Sequence, residues 1–241
     1  VGTTILNNAA KEPEIESLCI FLNKMGADIE GIGGNKIIVH GKKALHSGIE
    51  YSIIPDRIEA GTFLMAAAIT RGDILVKNVE PNHLKIVLKY LELAGLKLDI
   101  NHDSIHIMAR KESILPVDMT TEIYPGFPTD LQAQWMALMT QANDSSIITE
   151  NIYTDRFTHI PEISRFGAHI NLEQNKAFIK GNDNLIGAPV MSTDIRASAA
   201  LIIAALGAKG KSTISRIYHI DRGYENIEVK LSNLEADINR D

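Results

Sequence analysis

The chain has 241 residues, 45% of them hydrophobic and 22% charged, with a formal net charge of −6. That length holds one large domain or two small ones with ample core, and the negative balance argues against a general binder of nucleic acid or acidic membranes. A single cysteine excludes an internal disulfide framework. The longest apolar stretch, around "ASAALIIAALGA", is too short to span a bilayer. With no signal peptide, a cytoplasmic setting is the expectation.

In chain order, "VGTTILNNA" opens with strand character, and Val1 is not an initiator methionine. Both features suggest a piece of a longer protein. "EIESLCIFLNKMG" has helical apolar spacing and closes at Gly26. Cys19 falls among its apolar positions and reads as a buried structural thiol rather than a nucleophile. "GIGGN", residues 31–35, reads as a hairpin turn.

An Ala-rich helix behind a cap, followed by a β-branched strand, comes next as "PDRIEAGTFLMAAAITRGDILVKNV". A helix ending at Gly95, a strand and a return strand follow in "HLKIVLKYLELAGLKLDINHDSIHIMAR". The pair recurs as "PTDLQAQWMALMTQANDSSIITENI" with "HIPEISRFGAHINLEQNKAFIKG", whose helix closes at Gly167. It recurs again as "STDIRASAALIIAALGAKGKSTISRI" with "NIEVKLSNLEADINRD", where Glu235 takes the glycine position and no return strand follows.

A full unit is therefore helix–strand–helix–strand–strand, roughly 65–75 residues long, a suitable size for a supersecondary repeat. The first copy lacks its opening helix and the last lacks its closing strand, which leaves a sheet edge for a missing segment to fill. The class is α/β with mixed strands. Helices with small residues on several faces suit burial inside a layer of sheets, with an ordinary two-layer sandwich as the alternative.

Two local patterns mislead. "GAKGKST" resembles a phosphate loop, but the motif's first glycine would fall on Ala205, and the segment ends a helix and opens a strand. The eight histidines show no helical i, i+4 pair and no cluster with carboxylates, so no zinc site is expected.

The repeats differ most at three helix starts. Caps are expected at Asp56, Thr129 and Thr193, with Gln132 completing a capping box for Thr129. The next residues are Arg57, Asp130 and Asp194, and two places on stand Glu59, Gln132 and Arg196. Asp130 is surplus to the cap. It is either a helix-dipole partner, contributing ~0.5 kcal/mol, or a group aimed outward. The loops "IYTDR" and "IYHIDRGYE" add Arg156 and Arg222. Helix N-termini and arginines together suit a phosphate or carboxylate; the plainer reading is that Asp155–Arg156 and Asp221–Arg222 form surface ion pairs. Beside guanidinium groups Asp130 stays ionised and can take or orient a hydroxyl proton.

"PDRIEAGTFLMAAAITRG", "PGFPTDLQAQW", "STDIRASAAL" and "RIYHIDRGYENIEVKL" resemble the enolpyruvyl transferases, and among them the UDP-N-acetylglucosamine 1-carboxyvinyltransferases, over the whole chain. The resemblance implies two domains of an inside-out α/β barrel, each of three such units, with substrates in the cleft between them. Residues 1–54 would be the last unit of the first domain and 55–241 most of the second. The implied reaction moves the enolpyruvyl group of phosphoenolpyruvate to the 3-hydroxyl of UDP-N-acetylglucosamine and releases phosphate, the committed step of peptidoglycan synthesis.

On this mapping Asp130 contacts that hydroxyl and is the general base. Ile152 holds the sugar nucleotide largely through its backbone, and Arg222 grips phosphoenolpyruvate. Asp194 and Arg196 line the same end of the cleft, while Glu12 is a cleft glutamate of the first domain. No metal or organic cofactor is implied. The family's Lys-Asn pair, its general-acid loop and its upstream arginines are absent, so this polypeptide alone is expected to be inactive. Two rivals remain: a 5-enolpyruvylshikimate-3-phosphate synthase-like transferase, and a non-catalytic binding module of the same fold.

Overall fold

A computed structural model describes residues 2–110, 113–181 and 184–240. The chain divides into two units. One runs to Pro55 and includes Ile123–Gly126; the other takes Asp56–Glu122 and everything from Phe127 onward.

The first unit contains β1 (Thr3–Asn7), α1 (Pro13–Lys24), β2 (Asp28–Glu30) and β3 (Lys36–His40). β3 lies between the other two strands and is antiparallel to both, with Val39 opposite Thr4 on one side and Ile29 on the other. "GIGGN" joins β2 to β3 as a hairpin. Cys19, Ile29 and Ile37 form the small core, and burial pushes the Cys19 thiol up from its ordinary value, which suits a structural thiol.

The second unit runs through α2 (Arg57–Ile69), β4 (Asp73–Lys77), α3 (Lys85–Leu93), β5 (Lys97–Ile100), β6 (Ser104–Met108) and β7 (Met119–Thr120). It continues with α4 (Gln132–Met139), β8 (Ser146–Thr149), α5 (Ile160–Ser164), β9 (His169–Glu173) and β10 (Lys176–Lys180). β11 (Pro189–Met191), α6 (Ile195–Gly207), β12 (Thr213–Ser215) and α7 (Ile227–Ser232) complete it. Its sheets are ordered β4-β6-β5, β7-β8-β10-β9 and β11-β12. The return strands β6 and β10 sit in the middle, antiparallel to their neighbours, whereas β7–β8 and β11–β12 are parallel pairs.

Helices α2, α4 and α6 pack on one another, with β4 and β6 against α2 and β8 against α4. Every residue of α4 is buried. A helix enclosed on all faces is mostly apolar or small, which is why Ala66–Ala68, Ala133, Ala137, Ala199 and Ala200 recur here, although α4 also buries Gln132 and Gln134. The approach is close: a Cβ on Gly61 would lie 2.6 Å from Leu131 Cδ1. This enclosure excludes the two-layer alternative for this unit. Trp135, fully buried, takes the edges of Tyr90 and Phe127 with both centroids at 5.7 Å.

The helix ends repeat as well. Gly26, Gly95 and Gly167 have φ of +93°, +88° and +90°, the left-handed turn that ends a helix. Glu235 adopts the same turn at φ +69°. The next residue then bonds back to a leucine carbonyl in three of the four copies: Ala27 to Leu22, Leu96 to Leu91 and Ala236 to Leu231.

Candidate active site around Asp130

Two of the three helix starts are built differently from the expected caps. Asp56 does cap α2, its Oδ1 accepting from the N–H groups of Ile58 and Glu59. The cap of α6 is Asp194 and not Thr193: Asp194 Oδ1 accepts from Arg196 and Ala197 at 2.8 and 2.9 Å. Thr129 caps nothing. It lies in a 3-10 turn, Thr129–Leu131, and no side chain caps that turn or α4. The expected capping box is absent, because Gln132 is fully buried and both its amide atoms lack partners.

Asp130, released from helix duty, faces two arginines from different repeats. Arg156 Nη1 donates to its Oδ1 at 2.8 Å and Arg196 Nε donates to the same oxygen at 3.1 Å. Arg156 opens a short 3-10 turn after β8, while Arg196 is the second residue of α6. Burial pushes the Asp130 carboxyl up, but the Arg156 hydrogen bond and the charges of Arg196 and Arg156 outweigh it and hold the pKa below the usual carboxylate value. Both arginines take Oδ1 of a carboxylate that is 36% exposed.

Each arginine has further anchors. Arg156 also donates to the Thr129 carbonyl at 2.9 Å, and its guanidinium lies 5.5 Å from the centre of the Tyr153 ring. Arg196 hydrogen-bonds the buried Tyr224 hydroxyl. That hydroxyl is 2.8 Å from Thr62 Oγ1 and takes a longer contact from Gln134 Nε2. The Thr62 proton goes to the Ile58 carbonyl. The Tyr224 proton therefore goes to Thr62, and the phenol oxygen is left to accept from Arg196 and Gln134.

Neither surface ion pair suggested by the sequence forms. Arg156 turns to Asp130, and Asp221 makes a two-point pair with Arg240 at 2.7 Å for each bond. Arg222 is exposed at the end of its own turn and makes none of the bonds that join Asp130, Arg156 and Arg196. Its backbone is nevertheless held near them, since a Cβ on the next residue, Gly223, would lie 2.5 Å from the Ile195 side chain. Ile152, 43% exposed, gives its N–H to Glu150 Oε1 at 2.8 Å. Glu12 belongs to the first unit, at the start of α1, where its Oε2 is buried without a partner.

Sequence reasoning missed three groups here. Glu150 is a fully buried carboxylate, and its only sequence signal is an acid that ends the apolar run "SIIT". Tyr224 sits inside the "IYHIDRGYE" stretch but was not singled out. His159 is buried against the Arg156 backbone, and burial pushes its imidazole down to about 4.

One cluster in the first unit corrects the histidine reading. Asp28, Glu30 and His40 place one ligand atom each within 4.8 Å of one another. These donors are already engaged: Lys42 pairs with Asp28 at 2.9 Å, and the Thr3 hydroxyl lies 3.1 Å from His40 Nδ1. No helix among the described residues is long and apolar enough to cross a membrane.

The chain is similar to known proteins along almost its whole length. The UDP-N-acetylglucosamine 1-carboxyvinyltransferase of Chlorobium chlorochromatii is 53% identical over 239 residues, covering 99% of this chain and 56% of the relative. That of Koribacter versatilis is 50% identical, covering 99% and 55%. The chain thus spans little more than half the length of these relatives. Among solved structures, the enolpyruvyl transferase NikO from Streptomyces tendae superposes with a TM-score of 0.88 at 26% identity, covering 99% of this chain and 56% of that one. An EPSP synthase from Acinetobacter baumannii shares the fold with a TM-score of 0.72 at 19% identity, covering 98% and 57%. The family model described as EPSP synthase (3-phosphoshikimate 1-carboxyvinyltransferase) matches residues 1–231. Repeats, helix-centred fold and sequence agree along almost the whole length, and the chain belongs to this EPSP synthase family of carboxyvinyltransferases.

Proposed function

We propose that this chain carries the sugar-side half of a UDP-N-acetylglucosamine 1-carboxyvinyltransferase active site, acting in peptidoglycan synthesis in the cytoplasm. The observation that carries the reading is Asp130, which forgoes helix capping and is held by one oxygen between Arg156 and Arg196. Its other oxygen takes the 3-hydroxyl proton as the sugar O3 adds to C2 of phosphoenolpyruvate, whose C3 takes a proton from an acid outside this chain; loss of phosphate from C2 and of a C3 proton then restores the double bond. A carboxylate held low is a weak base. An incoming phosphate competes for the guanidinium groups, and as they turn to it Asp130 regains basicity.

Arg222, exposed beside the start of α6, grips phosphoenolpyruvate, while Arg196 and Asp194 line that end of the cleft. Ile152 meets the nucleotide sugar through its carbonyl, and Glu12 contributes from the first domain. Residues 1–54 serve as the last repeat of that domain and 55–241 as most of the second. Turnover requires the part of the relatives' length that this chain does not span.

The test joins that part, taken from the Chlorobium chlorochromatii relative, to this chain. Inorganic phosphate is then followed with phosphoenolpyruvate and UDP-N-acetylglucosamine. Turnover by the completed protein and none by the chain alone is the expected result. Turnover with shikimate 3-phosphate instead would favour the shikimate-type transferase. Neither substrate reacting would favour a binding module.

A further inference from the structure

We propose that Glu150 is a positioning residue, a buried carboxylate that sets the Asp130 turn and the Ile152 backbone at once. The kinetic part of this proposal rests on the transferase reading; the geometric part stands without it. Glu150 is fully buried, directly after β8. A carboxylate in that position needs several donors to replace water. It has four, all uncharged. Its Oε1 accepts from Thr121 Oγ1 at 2.7 Å, Ile152 N at 2.8 Å and Tyr153 N at 2.9 Å. Its Oε2 accepts from Thr129 Oγ1 at 2.8 Å.

These donors come from three segments: the residue after β7, the turn before α4 and the loop after β8. Glu150 is itself pinned at its backbone, its N–H bonding the Asn175 carbonyl at 2.9 Å and its own carbonyl accepting from Asn175 Nδ2 at 3.2 Å. Thr129 is drawn inward by its hydroxyl, while Arg156 holds the Thr129 carbonyl from the other side. The peptide carrying Asp130 is thereby fixed, with the carboxylate turned to the arginines.

The local cost is visible. A threonine at a helix start ordinarily caps it, and here α4 goes uncapped so that Thr129 can reach Glu150. Departures from a local rule of this kind gather at functional sites. A buried apolar residue would give stability without burying a charge. Four directed bonds to one carboxylate instead fix orientation.

The test uses the completed protein. Thr129→Val removes one of the four bonds and keeps the side-chain shape. Its kcat should fall about tenfold, with KM for UDP-N-acetylglucosamine within about twofold because the 152–153 loop keeps its anchor. Thr129→Ser, which keeps the hydroxyl, should restore kcat. Glu150→Ala frees both segments, so kcat should fall on the order of 100-fold and KM for the nucleotide sugar should rise. Glu150→Gln keeps an acceptor for the three donors at Oε1 and places an amide N–H that can donate to the Thr129 hydroxyl, so it should retain most activity.

Amide exchange at Ile152 and Tyr153, followed by NMR on the 241-residue chain itself, should speed up about tenfold or more in Glu150→Ala and not in Thr129→Val. Unchanged kcat in Thr129→Val overturns the proposal. So does a folded Glu150→Ala with unchanged KM and unchanged exchange. If Glu150→Ala does not fold, the Thr129 pair decides. If the completed wild-type protein turns over neither substrate, the transferase reading falls, and amide exchange judges the geometric claim.

Discussion

The starts of α4 and α6 descend from one repeat and treat their aspartates in opposite ways. Asp194 folds back onto α6 and satisfies two of its N–H groups, as Asp56 does for α2. Asp130 leaves the N–H groups of α4 alone and reaches two guanidinium groups, Arg156 of its own repeat and Arg196 of the next. The same residue type at related positions caps its helix in two copies and pairs with two arginines in the third. What separates them is one buried carboxylate, Glu150, which diverts the neighbouring threonine and fixes the turn.

The largest effect expected from this contrast is on turnover. In the completed protein, Asp130→Ala should lower phosphate release by about 10³-fold, whereas Asp56→Ala should leave it nearly unchanged. Equal losses in the two variants would erase the distinction between site and cap.

The second effect is on acid stability, and its centre is His159, which lies within electrostatic reach of Asp194, Glu150 and Arg156. Its pKa is about 4 folded against 6.5 unfolded, so protonation favours the unfolded chain. Its contribution to stability is complete above pH 6.5 and is lost as pH falls towards 4, by ~3 kcal/mol. Urea unfolding of wild type and His159→Gln at both ends of that window checks this. An undiminished loss in the variant would clear His159.

Smaller again is the cap itself. Asp56→Ala should lower stability by about 1 kcal/mol in urea titration. The comparison extends to the other helix ends, where three copies place glycine at the left-handed position and the fourth places Glu235. Glu235→Gly should raise stability by up to about 1 kcal/mol; no gain would mean that the strain there is already relieved.

The helices and their ends were legible because they rest on local rules. Ala-rich segments, and glycines at 26, 95 and 167, can be read residue by residue. β7 and β11 were not legible, since strands of two and three residues show no alternation to read. The α6 cap slipped by one residue because Thr193 and Asp194 are both good caps side by side, and only geometry chooses between them. Asp130, Arg156 and Arg196 were named from charges that differ between copies. Arg222 was grouped with them because the repeat places it near that end, but chain order carries no side-chain direction. Glu150 reaches back to Thr121 and Thr129 and Tyr224 to Thr62 and Gln134, all tens of residues away or more, and no local pattern records such a pairing.

Thr62 and Tyr224 meet across 162 positions of sequence, and Arg196 leans on that junction. A chain growing from its N-terminus can form α2, α4 and their sheets long before Tyr224 exists, yet the second guanidinium has no such support until then. Closing so long a loop is among the slower events of folding. The Arg196 side of the Asp130 cluster is therefore among the later parts of this unit to mature, with only α7 and the segment after it still to be made once Tyr224 is in place.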